Sequence, residues 1–451
     1  MDGMTLTKPR PPVKAHFAIA VKLVPVLVGL LFGGPIGAAF PTPYALFWVQ
    51  RTDVGSPGPR SGHALAYDSD RGVTILFGGQ HGDINDTWEY DGHSWKKITI
   101  DGPVPSPRSR HAMCYDNSLR QVILFGGIFN NDLFDDVWNY ESTGPQRGRW
   151  IHRAEALSPG GRFAHTMVFD YFAGRAIVAG GSPAIAISGP ERQTAETWEW
   201  NNSTGQWFLS RQTVGFYAGK TLGAGLSDHM MLYDYRRREA VVLGGIGPFG
   251  TKLVANGRMF FVSGDDSGRN LECGPTVAEG AIVYDGFHDI YVQFGGTHYF
   301  RGEYAPNRAE PSKGTIFHRS LAGFPCSYRP ADVTVNYGDA VLPDLRGQCA
   351  MVYDEKRRVT VLFGGSVPGD TYGDTWEFVT RDSREIWVHF DHPGREIGTF
   401  ELPYNTLAEG TSHVASGGTL KIKAGSTPET PQLVKPVTIE AVGGPVTIGQ
   451  R

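Results

Sequence analysis

The side chains best able to do chemistry in this 451-residue chain are its 14 histidines and 46 Asp and Glu residues, and four of the histidines share one local pattern. His63, His111, His165 and His229 each precede an apolar run that leads to an aspartate. Imidazoles repeated this way could ring a metal ion only by converging on one point about 2 Å away. Recurrence inside a single chain argues instead for a duty every repeat shares, such as anchoring a strand, and no metal site is assigned. Arg60, Arg108, Arg162 and Arg346 form a second column, read as braces between repeats. Repeated acids such as Asp68 and Asp116 are read as turn residues. No GxSxG, HExxH, CxxC or phosphate-loop pattern starts a catalytic argument. Glu279 and Glu303, with the arginines, are raw material for acid–base work on an acidic sugar, but the separation of paired carboxylates is not written in a sequence.

The elements that position these residues come from one repeated unit. Residues 60–79 read RSGHALAYDSDRGVTILFGG, and the skeleton returns as RSRHAMCYDNSLRQVILFGG from Arg108, RFAHTMVFDYFAGRAIVAGG from Arg162, LSDHMMLYDYRRREAVVLGG from Leu226, VAEGAIVYDGFHDIYVQFGG from Val277 and RGQCAMVYDEKRRVTVLFGG from Arg346. Each copy predicts a hairpin: an apolar strand, a turn at the aspartate, and a β-branched and aromatic strand ending on a glycine pair. A third short strand with a large aromatic follows at Trp88, Trp138, Trp198 and Trp376, and a fourth at Trp95, Trp150 and Trp207. Four antiparallel strands per repeat, arranged radially, form the blade of a propeller.

The glycine pairs, Tyr-Asp turns and spaced tryptophans together resemble the kelch repeat, also found in the propeller domain of galactose oxidase. The resemblance covers roughly three quarters of the chain and implies an all-β, six-bladed propeller over residues 41–390. The fourth and fifth copies depart from it, with Met259 to Val262 and Thr315 to His318 where the tryptophan strand belongs. Trp48 precedes Arg60 as Trp150 precedes Arg162, so its strand is assigned to the blade opening at Arg346, closing the ring and removing a sheet edge. Trp387 competes for the same place, and a further blade within 321–345 is the alternative count.

Residues 1–40 carry Lys8, Arg10, Lys14 and Lys22 ahead of an apolar stretch ending Gly37-Ala38-Ala39, which reads as an export signal, or as an anchor if uncleaved. Membrane contact would come only through this segment, and the protein is expected to be secreted or at the cell surface. Of the 4 cysteines, Cys114 and Cys349 fall in inner-strand columns, while Cys273 and Cys326 lie in irregular insertions and are expected to form a disulfide in an oxidising compartment. With 42 basic residues against the 46 acidic, and no basic run interleaved with aromatics, nucleic acid is not an expected partner. Residues 391–451 are similar to the start of a right-handed parallel β-helix, with a helix near 403–407 and strands at 419–423, 437–441 and 446–448; a loose tail is the alternative.

The fold resemblance brings a copper oxidase of the galactose oxidase type into consideration, and a sugar epimerase or glycosidase as a second enzyme option. No motif maps their ligands onto the non-column histidines His81, His288, His298 and His318. The sequence is therefore read as a monomeric binding module for a protein or glycan, without cofactor, with a purely architectural spacer as a third reading. Connections between second and third strands vary in length, while the hairpin turns do not, and function concentrates in variable loops on a rigid frame. Residues there without counterparts in other copies are the candidate ligand contacts: Gln80, His81, Asn130, Asn131, Arg192, His298, Tyr299, Arg301 and Tyr304.

Overall fold

The computed structural model describes residues 4–6, 44–52, 54–80, 84–145, 147–153, 158–183, 194, 196–213, 226–243, 245, 258–263, 270–272, 278–296, 299–300, 303–304, 315–318, 342–393, 396–400, 402–430 and 432–449. It divides into two compact units, one of residues 47–330 and 337–379, the other of residues 1–46, 331–336 and 380–451.

The larger unit is built from antiparallel sheets, one per repeat. Blade 1 runs Ala64–Asp68, Val73–Phe77, Thr87–Tyr90, Trp95–Ile98 in sequence order. Blade 2 (Ala112–Asp116, Gln121–Phe125, Val137–Glu141, Arg149–Arg153) and blade 3 (Thr166–Asp170, Arg175–Ala179, Glu196–Asn201, Gln206–Thr213) repeat the order. The two departing copies keep the plan: Met259 pairs with Leu243 in blade 4, and Tyr291 with Phe317 in blade 5. Three strands of blade 5 are described. Blade 6 begins with Ala350–Asp354 and Val359–Phe363, and its outermost strand is Tyr44–Arg51, as the position of Trp48 predicts.

Trp48 is buried and packs 5.1 Å from the Phe294 ring of the preceding blade. Trp95 has the same relation to Phe363, Trp150 to Phe77 and Trp207 to Phe125. The first strands neighbour one another in a closed cycle from blade 1 round to blade 6 and back. Those of blades 5 and 6 are direct neighbours, with no described strand between them, and most of 321–345 lies outside the described residues.

Sandwiching between blades explains the strand patterns. Val73–Phe77 and Val359–Phe363 are buried at every position because a sheet covers each face, so they read as continuous apolar runs. The outer strand Trp95–Ile98 buries its tryptophan and exposes both lysines. The glycine pair has a steric cause. Gly78 has φ +67°, and a Cβ there would meet the Arg108 carbonyl at 2.6 Å and the His111 ring at 3.0 Å.

In the smaller unit, Glu385–Val388, Thr419–Thr427 and Thr438–Ile448 pair in parallel, and Met4–Leu6 pairs antiparallel with the last of them. Trp387 therefore lies in this parallel sheet and not in the blade that its spacing also suited. The helix Leu407–His413 starts where Thr406 accepts from the Glu409 amide at 3.2 Å and the Glu429 carboxylate accepts from the amides of Leu407 and Ala408 at 3.0 Å. Ile386, Val388, Leu407, Leu420, Ile422 and Val446 form its core. No helix among the described residues is long and apolar enough to cross a membrane.

Candidate binding site at the mouths of the central channel

The repeated columns form a lattice that holds the blades. His63, His111 and His165 stand edge-on to Phe363, Phe77 and Phe125 of the preceding blade, with ring centroids 5.4, 5.6 and 5.2 Å apart. His229 reaches Thr166 Oγ1 at 2.7 Å. Burial, with Arg60 and Arg162 beside them, drives the pKa of His63 and His165 down to about 3, and burial alone takes His229 to about 4, so all three are neutral. Each serves a separate blade boundary, and among the described residues no three of His, Cys, Asp or Glu gather as a metal set.

The arginine column braces differently from the expectation. Arg60, Arg108 and Arg346 each grip an aspartate of their own blade, Asp86 at 2.7 Å, Asp136 at 2.6 Å and Asp374, while Arg162 stands 3.7 Å from Glu196. The same acids accept from the indole N–H two residues later, at Trp88, Trp138, Trp198 and Trp376. These arginines thus tie the first strand to the third within a blade. Their head groups already donate to two or more acceptors, so each buried guanidinium is matched. The turn aspartates behave as read, Asp68 Oδ1 accepting from the amides of Asp70 and Arg71 at 3.0 and 3.1 Å. Cys114 and Cys349 are free and buried.

At the end where the second-to-third connections emerge, the channel mouth is closed by main chain. The amide of Arg110 donates to the carbonyl of Gly62, Ala164 to Arg110, Asp228 to Ala164, Glu279 to Asp228, Gln348 to Glu279, and Gly62 to Gln348, at 2.6 to 3.0 Å. This circuit passes once through every blade. All six residues have positive φ, from 52° to 63°, which points successive amides and carbonyls round the ring. Over it lies a half-buried polar cluster: the Arg110 guanidinium contacts the Asp228 carboxylate and stands 3.9 Å from Glu279, and Gln348 Nε2 donates to Glu279 Oε1 at 3.0 Å.

The predicted contact residues distribute around this mouth. Gln80 is exposed and its amide donates to the Ser61 carbonyl at 2.7 Å. Asn130 and Asn131 are exposed at the tip of a small hairpin, Ile128–Phe129 with Asp132–Leu133, with φ of 48° and 73°. Tyr299 pairs in register with Tyr304 in a similar hairpin, and Ser366–Val367 with Asp370–Thr371 forms a third. Bridges from Ser109 to Ile128 and from Gly347 to Ser366 fix two of these hairpins to the frame. His81, Arg192, His298 and Arg301 lie outside the described residues, as do Cys273 and Cys326 of the expected disulfide. Sequence reading missed Arg110, Asp228 and Gln348. The signal was present: between the recurring arginine and histidine columns stands one position that changes in every copy.

Among the described residues, six sheets whose first strands close into a cycle define a β-propeller. Residues 45–233 match the family model of the KLHDC2/KLHL20/DRC7 Kelch-repeats domain. Among solved structures, "Structure of YjhT" superposes with a TM-score of 0.52 at 15% identity, covering 73% of this chain and 100% of that one, a likeness that speaks to fold alone. No curated protein matches the chain. The chain therefore has a β-propeller fold, with a kelch-type match over residues 45–233.

Proposed function

We propose that the protein is an exported binding module that holds a protein segment or glycan on the face bearing the second-to-third connections. The observation that carries this reading is the combination at that face of exposed, repeat-unique amides (Gln80, Asn130, Asn131) with hairpins tied at their bases to a main-chain ring. Loops held so give a ligand preformed donors and acceptors at little ordering cost. The Arg110, Asp228 and Glu279 cluster at the centre supplies both signs of charge. Kelch propellers serve as interaction modules, which agrees with a binding role. The test compares two sets of substitutions in retention on a glycan array and in capture of extracytoplasmic proteins. Alanine at His298, Tyr299 and Arg301 together, or at Gln80, Asn130 and Asn131 together, should abolish retention. Loss caused instead by changes in the hairpin turns at Asp68 and Asp170, with the loop-face variants unaffected, would place the site on the other side. Export is tested separately by sequencing the N-terminus of the secreted protein, where a start beyond residue 37 is expected.

A further inference from the structure

The opposite mouth of the channel, at the hairpin turns, is built of different material. Tyr67 donates to Asp354 at 2.5 Å, Tyr115 to Asp70 at 2.8 Å and Tyr233 to Asp170 at 2.6 Å, each reaching the preceding blade. Inside this girdle is a cavity of about 190 Å³ whose lip carries the residues following the turn aspartates, among them Tyr171, Tyr235 and Glu355. The rings of Tyr171 and Tyr235 stand perpendicular in an edge-to-face contact at 89°, centroids 6.5 Å apart, so two aromatic rings meet at a right angle at the lip. Tyr171 is 40% exposed.

The charges round this lip are unequal in their engagement. Arg236 donates to the Gly286 carbonyl at 2.6 Å and Lys356 to the Asp70 carbonyl at 2.7 Å. Arg238 lies 4.0 Å over the Phe172 ring and Arg358 3.7 Å over Phe287. Each of these four cations is thus directed to a group of its own. Glu355 lines the cavity without a hydrogen bond or ion pair among the described residues. Desolvation and the adjacent Asp354 both raise its pKa, and no cation offsets them.

We propose that this mouth binds a quaternary ammonium group, seated in the corner between Tyr171 and Tyr235 with Glu355 as its counter-charge. Aromatic faces attract such cations through the ring quadrupole, most strongly where water is excluded. A trimethylammonium head is weakly hydrated and apolar at its surface, so it suits tyrosine walls better than a primary ammonium, which would give up strong hydration. The site lies at the other end of the channel from the proposed loop-face site and stands or falls separately from it.

The test uses the whole protein and calorimetric titration with choline, with N-acetyl-trimethyllysine methylamide, and with 3,3-dimethylbutan-1-ol, the neutral isostere of choline. Choline and the trimethyllysine compound should bind and the isostere should not; the tighter of the two cations tells a free solute from a modified protein side chain. Glu355→Gln and Tyr171→Leu should each weaken binding about tenfold, and Tyr171→Phe should retain it. Both residues lie at the exposed lip, and an unchanged thermal midpoint confirms that the variants fold. Should Tyr171→Leu fail to fold, Glu355→Gln carries the test alone. Equal binding of choline and its isostere, no binding of either cation, or indifference to Glu355→Gln would overturn the assignment.

Discussion

The two mouths of one channel are closed by different parts of the same repeat. At the loop end the closure is main chain, six amides and six carbonyls in a circuit, with the side chains of that column free to differ. At the turn end the closure is side chain, tyrosine hydroxyls reaching aspartates of the preceding blade's turn, two of which, Asp354 and Asp170, also hold that turn. A main-chain ring leaves its side chains open to change because any residue able to adopt positive φ supplies the same amide and carbonyl. That is why the column runs from glycine through arginine, alanine, two acids and a glutamine at Gly62, Arg110, Ala164, Asp228, Glu279 and Gln348, whereas the tyrosine and aspartate columns recur almost unbroken. Variation is therefore cheapest at the loop mouth.

Both mouths depend on the ring being closed, so the largest effect should follow from opening it. Trp48→Ala removes the buried anchor of the closing strand and should cost about 3–5 kcal/mol in a denaturant titration. An unchanged midpoint would mean that Tyr44–Arg51 does not hold blade 6. Arg110→Ala separates main-chain from side-chain closure. It leaves Asp228 and Glu279 without their shared cation, for a loss of about 1–3 kcal/mol, while hydrogen exchange at the Ala164 and Gln348 amides should stay slow. Fast exchange there would show that the salt cluster, not the backbone, holds the loop mouth.

Acid distinguishes the two ends next. His63, His165 and His229 have folded pKa values of about 3, 3 and 4, below the ordinary 6.5, so the unfolded chain takes up protons first. Their contribution is complete above pH 6.5 and falls as the pH drops toward 3. Between pH 6.5 and 5 each should cost about 1–2 kcal/mol, read from urea midpoints at several pH values. The tyrosines of the turn mouth are shifted upward and do not titrate in that range. The smallest effect belongs to a single tie at that mouth. Tyr115→Phe loses the 2.8 Å bond to Asp70 and should cost about 0.5–1.5 kcal/mol in thermal melting.

Much of the frame was legible because each repeat states it again. The turn aspartates, the glycine pairs and the third strands of the two departing copies, where Phe260 takes the tryptophan column and Phe317 the column of Tyr90, follow from spacing. The arginine column shows where that legibility stops. Its recurrence signalled a structural duty, yet its partners Asp86, Asp136, Glu196 and Asp374 sit a strand and a loop away, and nothing in the spacing tells an intra-blade pair from an inter-blade one. The candidate site fared likewise. Gln80, Asn130 and Asn131 stand out because they interrupt the pattern on variable loops. Arg110 and Asp228 vary just as much, but they sit next to the recurring histidines, where variation within a framework segment does not mark a surface.

The sequence by itself determined the repeat and the strand register within each hairpin, since these rest on local periodicity and on which side chains can be buried, while the choice between Trp48 and Trp387 for the closing strand waited on the fold. Only the tertiary structure decided which column faces the axis. Residues far apart in the chain meet there because each blade brings the same repeat position to the centre, so Arg110 touches Asp228, and Tyr171 forms a corner with Tyr235. Contacts across an axis depend on how many units surround it and how they tilt, and a sequence read one repeat at a time contains neither.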